Sequence, residues 1–116
     1  MNTETKYDIA TLQQEAIALL AQLIATPSFS GEEAATAAAI KNVLENFGVQ
    51  THQTGNNILA RNRWYNIDLP TILLNSHHDT VKPNPAYTRN PFEPGIENGK
   101  LYGLGSNDAG CALVSL

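Results

Sequence analysis

The sequence predicts an α/β layered domain, on three observations. Two segments with apolar residues at one-face helical spacing come first. Short strand-like segments with Gly and Asn turn signals follow. One continuous apolar run, "TILLNS" at 71–76, reads as a central strand buried on both faces. A chain of 116 residues is the usual size for one core.

The first helix is expected over residues 8–25, where Leu12, Ala16, Leu19, Leu20, Leu23 and Ile24 share a face. Asp8 or Thr11 caps its start, and Pro27 disfavours helix at Thr26. Ser30 followed by Glu33 fits a capping box for the second helix. That helix continues through Ile40, Val43, Leu44 and Phe47 to Gly48, and its alanine-rich first half allows close approach to a neighbour. "VQTHQTG" and "NILAR" then read as strands about a "GNN" turn, with an irregular loop over 61–69. The four prolines of "KPNPAYTRNPFEPG" exclude an element interior. Asn98-Gly99 is a two-residue hairpin signal, and "GLGSND" leads into the helix-like "AGCALVSL".

Composition narrows the function classes. With 42% hydrophobic and 16% charged residues the chain is ordinary globular material, not a disordered one. Seven basic against eleven acidic residues, with no basic run, argue against a nucleic-acid surface. "AIALLAQLIA" is interrupted by Gln22 and falls short of the roughly 20 residues that cross a bilayer, so no membrane partner is expected. A single cysteine, Cys111, and an opening without the order of a secretory leader point to a cytoplasmic protein. The sequence closes on "DAGCALVSL", inside an apolar helix with no stop signal, which leads us to expect a piece of a longer protein.

Two places carry chemistry. In "NSHHDTVKP", strand alternation puts His77 and Asp79 on one side and His78 on the other. An imidazole with a carboxylate behind it is a common metal-ligand arrangement, because the carboxylate fixes the tautomer. The same triplet could equally cap a strand and bond its own loop. In "GLGSND", Asp108 precedes a helix, where a simple N-cap competes with a ligand role. A phosphate loop is disfavoured there, since the third glycine and the lysine are missing. His52 reads as a surface residue, Cys111 as packing, and Trp64 and Tyr65 as covers for the core edge. Ser28, Ser30 and Ser76 lack a nucleophile-elbow context.

Taken in order, "TPSFSGEE", "NSHHDTVKP" and "NGKLYGLGSNDAG" resemble the amino-terminal part of the M20-type metallohydrolases. That family includes acetylornithine deacetylase, succinyl-diaminopimelate desuccinylase, aminoacylase and several di- and carboxypeptidases. The resemblance covers nearly the whole chain, and "NGKLYGLGS" is most similar to the acetylornithine deacetylase branch. It implies a zinc-hydrolase-type catalytic domain with a mixed sheet flanked by helices, of which residues 1–116 are the first portion. It implies that His77 ligates one metal of a two-zinc centre, with cobalt as a substitute. Asp79 would orient His77 and is the catalytic assignment, while Asp108 would bridge both metals.

The resemblance further implies an N-acyl amino acid substrate, a homodimer at full length, and a glutamate general base in a Glu-Glu pair beyond residue 116. None of Glu32, Glu33, Glu93 or Glu97 matches that base. Ser76 stands where glycine is common, Lys82 is an added residue, and Ala109-Gly110-Cys111 replaces the usual Met-Lys-Gly. The expected activity is deacylation, with N-acetylornithine as the first substrate to test. The alternatives are a di- or carboxypeptidase, or a truncated, non-catalytic fragment.

Overall fold

A computed structural model describes residues 7–116. Helix α1 spans Ile9–Ala25. Asp8 is its N-cap: one carboxylate oxygen accepts from the Thr11 amide and the other from the Thr11 hydroxyl, both at 2.9 Å. Helix α2 spans Ala34–Asn46, and Gly48 follows in the left-handed region at φ 75°. The two helices are in contact, and the buried residues are Leu19, Leu20 and Ile24 on α1 and Thr36, Ala37 and Ala39 on α2. Each large aliphatic side chain buried here contributes about 1.5–3 kcal/mol. Tyr7 and Phe47 close the far end of the helix pair edge to face, at 5.1 Å between rings.

Strands β1 (Thr51–Thr54) and β2 (Asn57–Ala60) form an antiparallel hairpin that leans on α2. A second hairpin pairs β3 (Gly95–Glu97) with β4 (Lys100–Tyr102). Its turn residues Asn98 and Gly99 have φ 50° and 74°, the two positive values that an Asn-Gly turn supplies. An irregular helical turn, Ser106–Gly110, then leads into α3, Cys111–Ser115.

The α/β class holds, but three expectations need correction. No mixed sheet forms among the described residues; the ladders are the two separate hairpins, and an isolated parallel bridge outside both pairs Phe29 with Thr80. Residues 71–76 are extended but unpaired, and Ile72, Leu73 and Leu74 are exposed. A strand buried on both faces needs neighbours on both edges and a layer above and below. No described residue occupies those places.

The second correction is the capping box. Glu33 does turn back, but to the Gly31 amide at 2.5 Å, and no side chain caps α2. The Ser30 hydroxyl goes elsewhere, to Asp79. The third concerns residues expected to pack. Cys111 is exposed, and α3 has no buried residue among the described ones. Trp64 and Tyr65 are exposed too, with Arg63 and Arg61 stacked on their rings.

The glycine-rich segment before α3 lies directly on α1. A Cβ at Gly103, where φ is 155°, would sit 2.2 Å from Cγ2 of Ile24. Only glycine lets this backbone pass so close to a buried isoleucine. That contact sets where the residues up to Asp108 emerge.

Candidate metal centre

His77, Asp79 and Asp108 come together, although the strand expected to present the first two is unpaired. The loop 76–80 is held instead by its neighbours. The Thr80 amide donates to the Ser28 carbonyl at 2.8 Å, and the Ser28 hydroxyl donates to the His78 carbonyl at 2.8 Å. Asp108 has φ −122° and ψ 98° and caps no helix; its carboxylate faces His77. The ligand role thus has geometry behind it, and the N-cap role has none.

Hydrogen-bond partners assign the tautomer of His77. Its Nδ1 faces the carbonyl and carboxylate oxygens of Asp79, each at 3.2 Å, so Nδ1 carries the proton. The Nε2 lone pair then points at Oδ1 of Asp108, 3.0 Å away. Two electron-rich atoms at that separation repel unless a proton or a metal ion lies between them. The Asp79 carbonyl bond, the largest influence, holds the His77 pKa above its usual value against the opposing effect of burial, with the Asp108 contact adding to the rise. Asp79 is held below the ordinary carboxylate range, first by the Ser30 hydroxyl and also by the charge of His77.

The donor set fits zinc. Imidazole nitrogen and carboxylate oxygen are both zinc ligands, and a tetrahedral ion with arms of about 2.0 Å spaces its ligand atoms roughly 3.3 Å apart. The 3.0 Å between Nε2 and Oδ1 is within easy reach of that value. Asp79 stands where a carboxylate behind a ligating imidazole is wanted. Among the described residues, no group of three or more His, Cys, Asp or Glu side chains is placed to hold a metal ion. These residues therefore supply two donors and an orienting carboxylate, and a closed site needs more.

The centre opens into a cleft of about 510 Å³, which Tyr87, Arg89 and Tyr102 also line. Arg89 stacks on the Tyr102 ring at 3.9 Å and makes a two-bond pair with Glu97 at 2.8 and 2.9 Å. Among the described residues no glutamate lines the cleft; Glu33 and Glu97 are held elsewhere, by Gly31 and Asn56 and by Arg89.

His78, given no role by sequence reasoning, is not idle. Its Nδ1 lies 2.8 Å from the Thr36 hydroxyl and its Nε2 lies 3.0 Å from the Asn56 carbonyl. Strand alternation separated it from His77, but its partners, 42 and 22 residues away, left no local signal.

Residues 73–116 match the model of peptidase family M20/M25/M40. Succinyl-diaminopimelate desuccinylase of Xylella fastidiosa (strain M12) is 37% identical over 98 residues, covering 81% of this chain and 26% of that protein. The protein of the same name from Xanthomonas euvesicatoria pv. vesicatoria (strain 85-10) is 34% identical, covering 78% of this chain and 24% of that protein. The one from Methylibium petroleiphilum is 32% identical, covering 93% of this chain and 31% of that protein. The chain thus spans about a quarter to a third of the length of these relatives. Their shared name lends no support to the narrower expectation of an acetylornithine deacetylase.

Proposed function

We propose, for a chain that belongs to the M20/M25/M40 peptidase family, that the whole protein is a zinc-dependent hydrolase removing an acyl group from an N-acyl amino acid. The observation that carries this is the approach of His77 Nε2 and Asp108 Oδ1 to 3.0 Å across 31 residues, with Asp79 behind the imidazole. When bound, zinc supplies a Lewis acid that polarises an amide carbonyl and acidifies water. His77 presents a lone pair whose direction Asp79 fixes, and Asp108 presents a carboxylate with a second oxygen free for a further cation. The cleft holds the acyl amino acid beside these groups.

The general base, the remaining ligands and a dimerisation domain are proposed to lie in the rest of the whole protein, because no glutamate among the described residues lines this cleft. A cytoplasmic homodimer is the matching proposal for its setting; no helix among the described residues is long and apolar enough to cross a membrane. Within the substrate class, the relatives' name shifts the preference from N-acetylornithine toward an N-succinyl diamino acid.

The test is amine release by the zinc-loaded whole protein from N-succinyl-diaminopimelate, N-acetylornithine and dipeptides. Release from an acyl amino acid, abolished in His77→Ala, is expected. Preferential cleavage of dipeptides moves the protein to the peptidase reading. No zinc-dependent release from any of them sinks both.

A further inference from the structure

We propose that His78 is a positioning residue for the centre, pinning the 76–80 loop so that His77 and Asp79 keep their aim at Asp108. The inference rests on the metal reading above and concerns a side chain that coordinates nothing. The His78 ring ties two separate pieces of the fold together. Nε2 donates to the Asn56 carbonyl in the β1–β2 turn, and Nδ1 accepts from the Thr36 hydroxyl on α2. This is the opposite tautomer from that of His77, fixed by opposite partners.

The contacts close a ring. Asn56 Nδ2 donates to Glu33 Oε2 at 2.9 Å, and the Glu33 carbonyl, 3.1 Å away, competes with His78 Nδ1 for the one proton of the Thr36 hydroxyl. Thr36 is fully buried and Ser28 nearly so, so these anchors sit in the best-packed part of the molecule. With the His78 carbonyl also held by Ser28, residue 78 is fixed at both its ring and its backbone. Its neighbours on either side are left to face the cleft. The loop has no sheet to hold it among the described residues, so side-chain anchoring takes that part. Supports of this kind act on a metal site through ligand orientation.

The experiment compares the whole protein with His78→Ala, His78→Gln and His78→Asn. In metal-free protein, His78→Ala is expected to lose hydrogen-exchange protection at the Thr80 amide; unchanged protection overturns the proposal. In the same variant the zinc dissociation constant is expected to rise about tenfold or more. The visible spectrum of the cobalt-substituted centre should shift, and kcat should fall with KM little changed. Gln, which restores a donor toward Asn56, or Asn, which restores an acceptor toward Thr36, should recover part of each effect. Wild-type affinity and spectrum in His78→Ala overturn the proposal. A wild-type protein that binds no zinc counts instead against the proposed function, and the exchange measurement then still decides whether His78 holds the loop.

Discussion

The Ser30 hydroxyl donates to Oδ2 of Asp79 at 2.5 Å, across 49 residues of sequence. This bond joins the loop before α2 to the carboxylate that orients His77, and it is the largest influence lowering the Asp79 pKa. Ser30→Ala should raise that pKa toward the ordinary carboxylate value, read by NMR titration of the metal-free protein. Zinc affinity of the whole protein should drop by up to about tenfold, because the orienting carboxylate loses its own support. An unchanged Asp79 titration would show that the bond does not form in solution.

Substitutions at the centre should separate by role. His77→Ala and Asp108→Ala each remove a donor and are expected to abolish tight zinc uptake by calorimetry. Asp79→Asn keeps the shape but loses the charge behind the imidazole, so affinity should fall about 10–100-fold without disappearing. Equal losses in all three would mean that Asp79 is itself a ligand.

Residues 1–116 prepared alone should bind zinc only weakly, since two donors leave a tetrahedral ion half coordinated. Stoichiometric uptake resistant to a mild chelator would contradict this. The exposed run Ile72–Leu74 should make that chain self-associate, and Leu73→Lys should reduce association in sedimentation experiments.

Glu33 gives a pH signature. Its carboxyl is held below its usual value by the Gly31 amide first and the Asn56 side chain second. The folded pKa is depressed, so its stabilisation is complete above the unfolded value of 4.5. It is lost as pH falls through the lower folded value. In urea denaturation, Glu33→Gln should be less stable than wild type at pH 7, and the gap should close as pH falls below 4.5 and through the lower folded value. A gap constant with pH would remove Glu33 from this account.

Gly103→Ala should destabilise the fold by about 2 kcal/mol or more, since the added methyl meets Ile24 at an unfavourable φ. The denaturation midpoint reports this. The double variant Gly103→Ala with Ile24→Val should recover part of the loss if the clash is its source.

Local signals carried most of the secondary structure. Asp8 and Pro27 bound α1, and Asn98-Gly99 turns the second hairpin, because caps and tight turns depend on residues within a few positions. What failed depended on distant partners. "TILLNS" has the composition of a central strand, but a strand exists only with neighbours, and composition does not name them. Ser30 and Glu33 have the spacing of a capping box, yet Asp79 competes for the serine. The centre was half legible: alternation put His77 and Asp79 on one side, the residues around Asp108 left an N-cap and a ligand role open until the resemblance favoured the ligand, and the approach of its carboxylate to His77 had no local signal. His78 stayed unread because Thr36 and Asn56 are brought to it by the packing of α2 and the first hairpin.

Arg89 has a further consequence, for the order of events. Beside the titratable His77, it is the one basic side chain lining the cleft among the described residues, and its charge is already matched by Glu97. The field left in the cleft is that of Asp79 and Asp108, which draws cations and repels carboxylates. Under the proposed function, an anionic acyl amino acid would meet a hostile entrance until divalent ions offset those carboxylates, so metal loading would precede substrate entry.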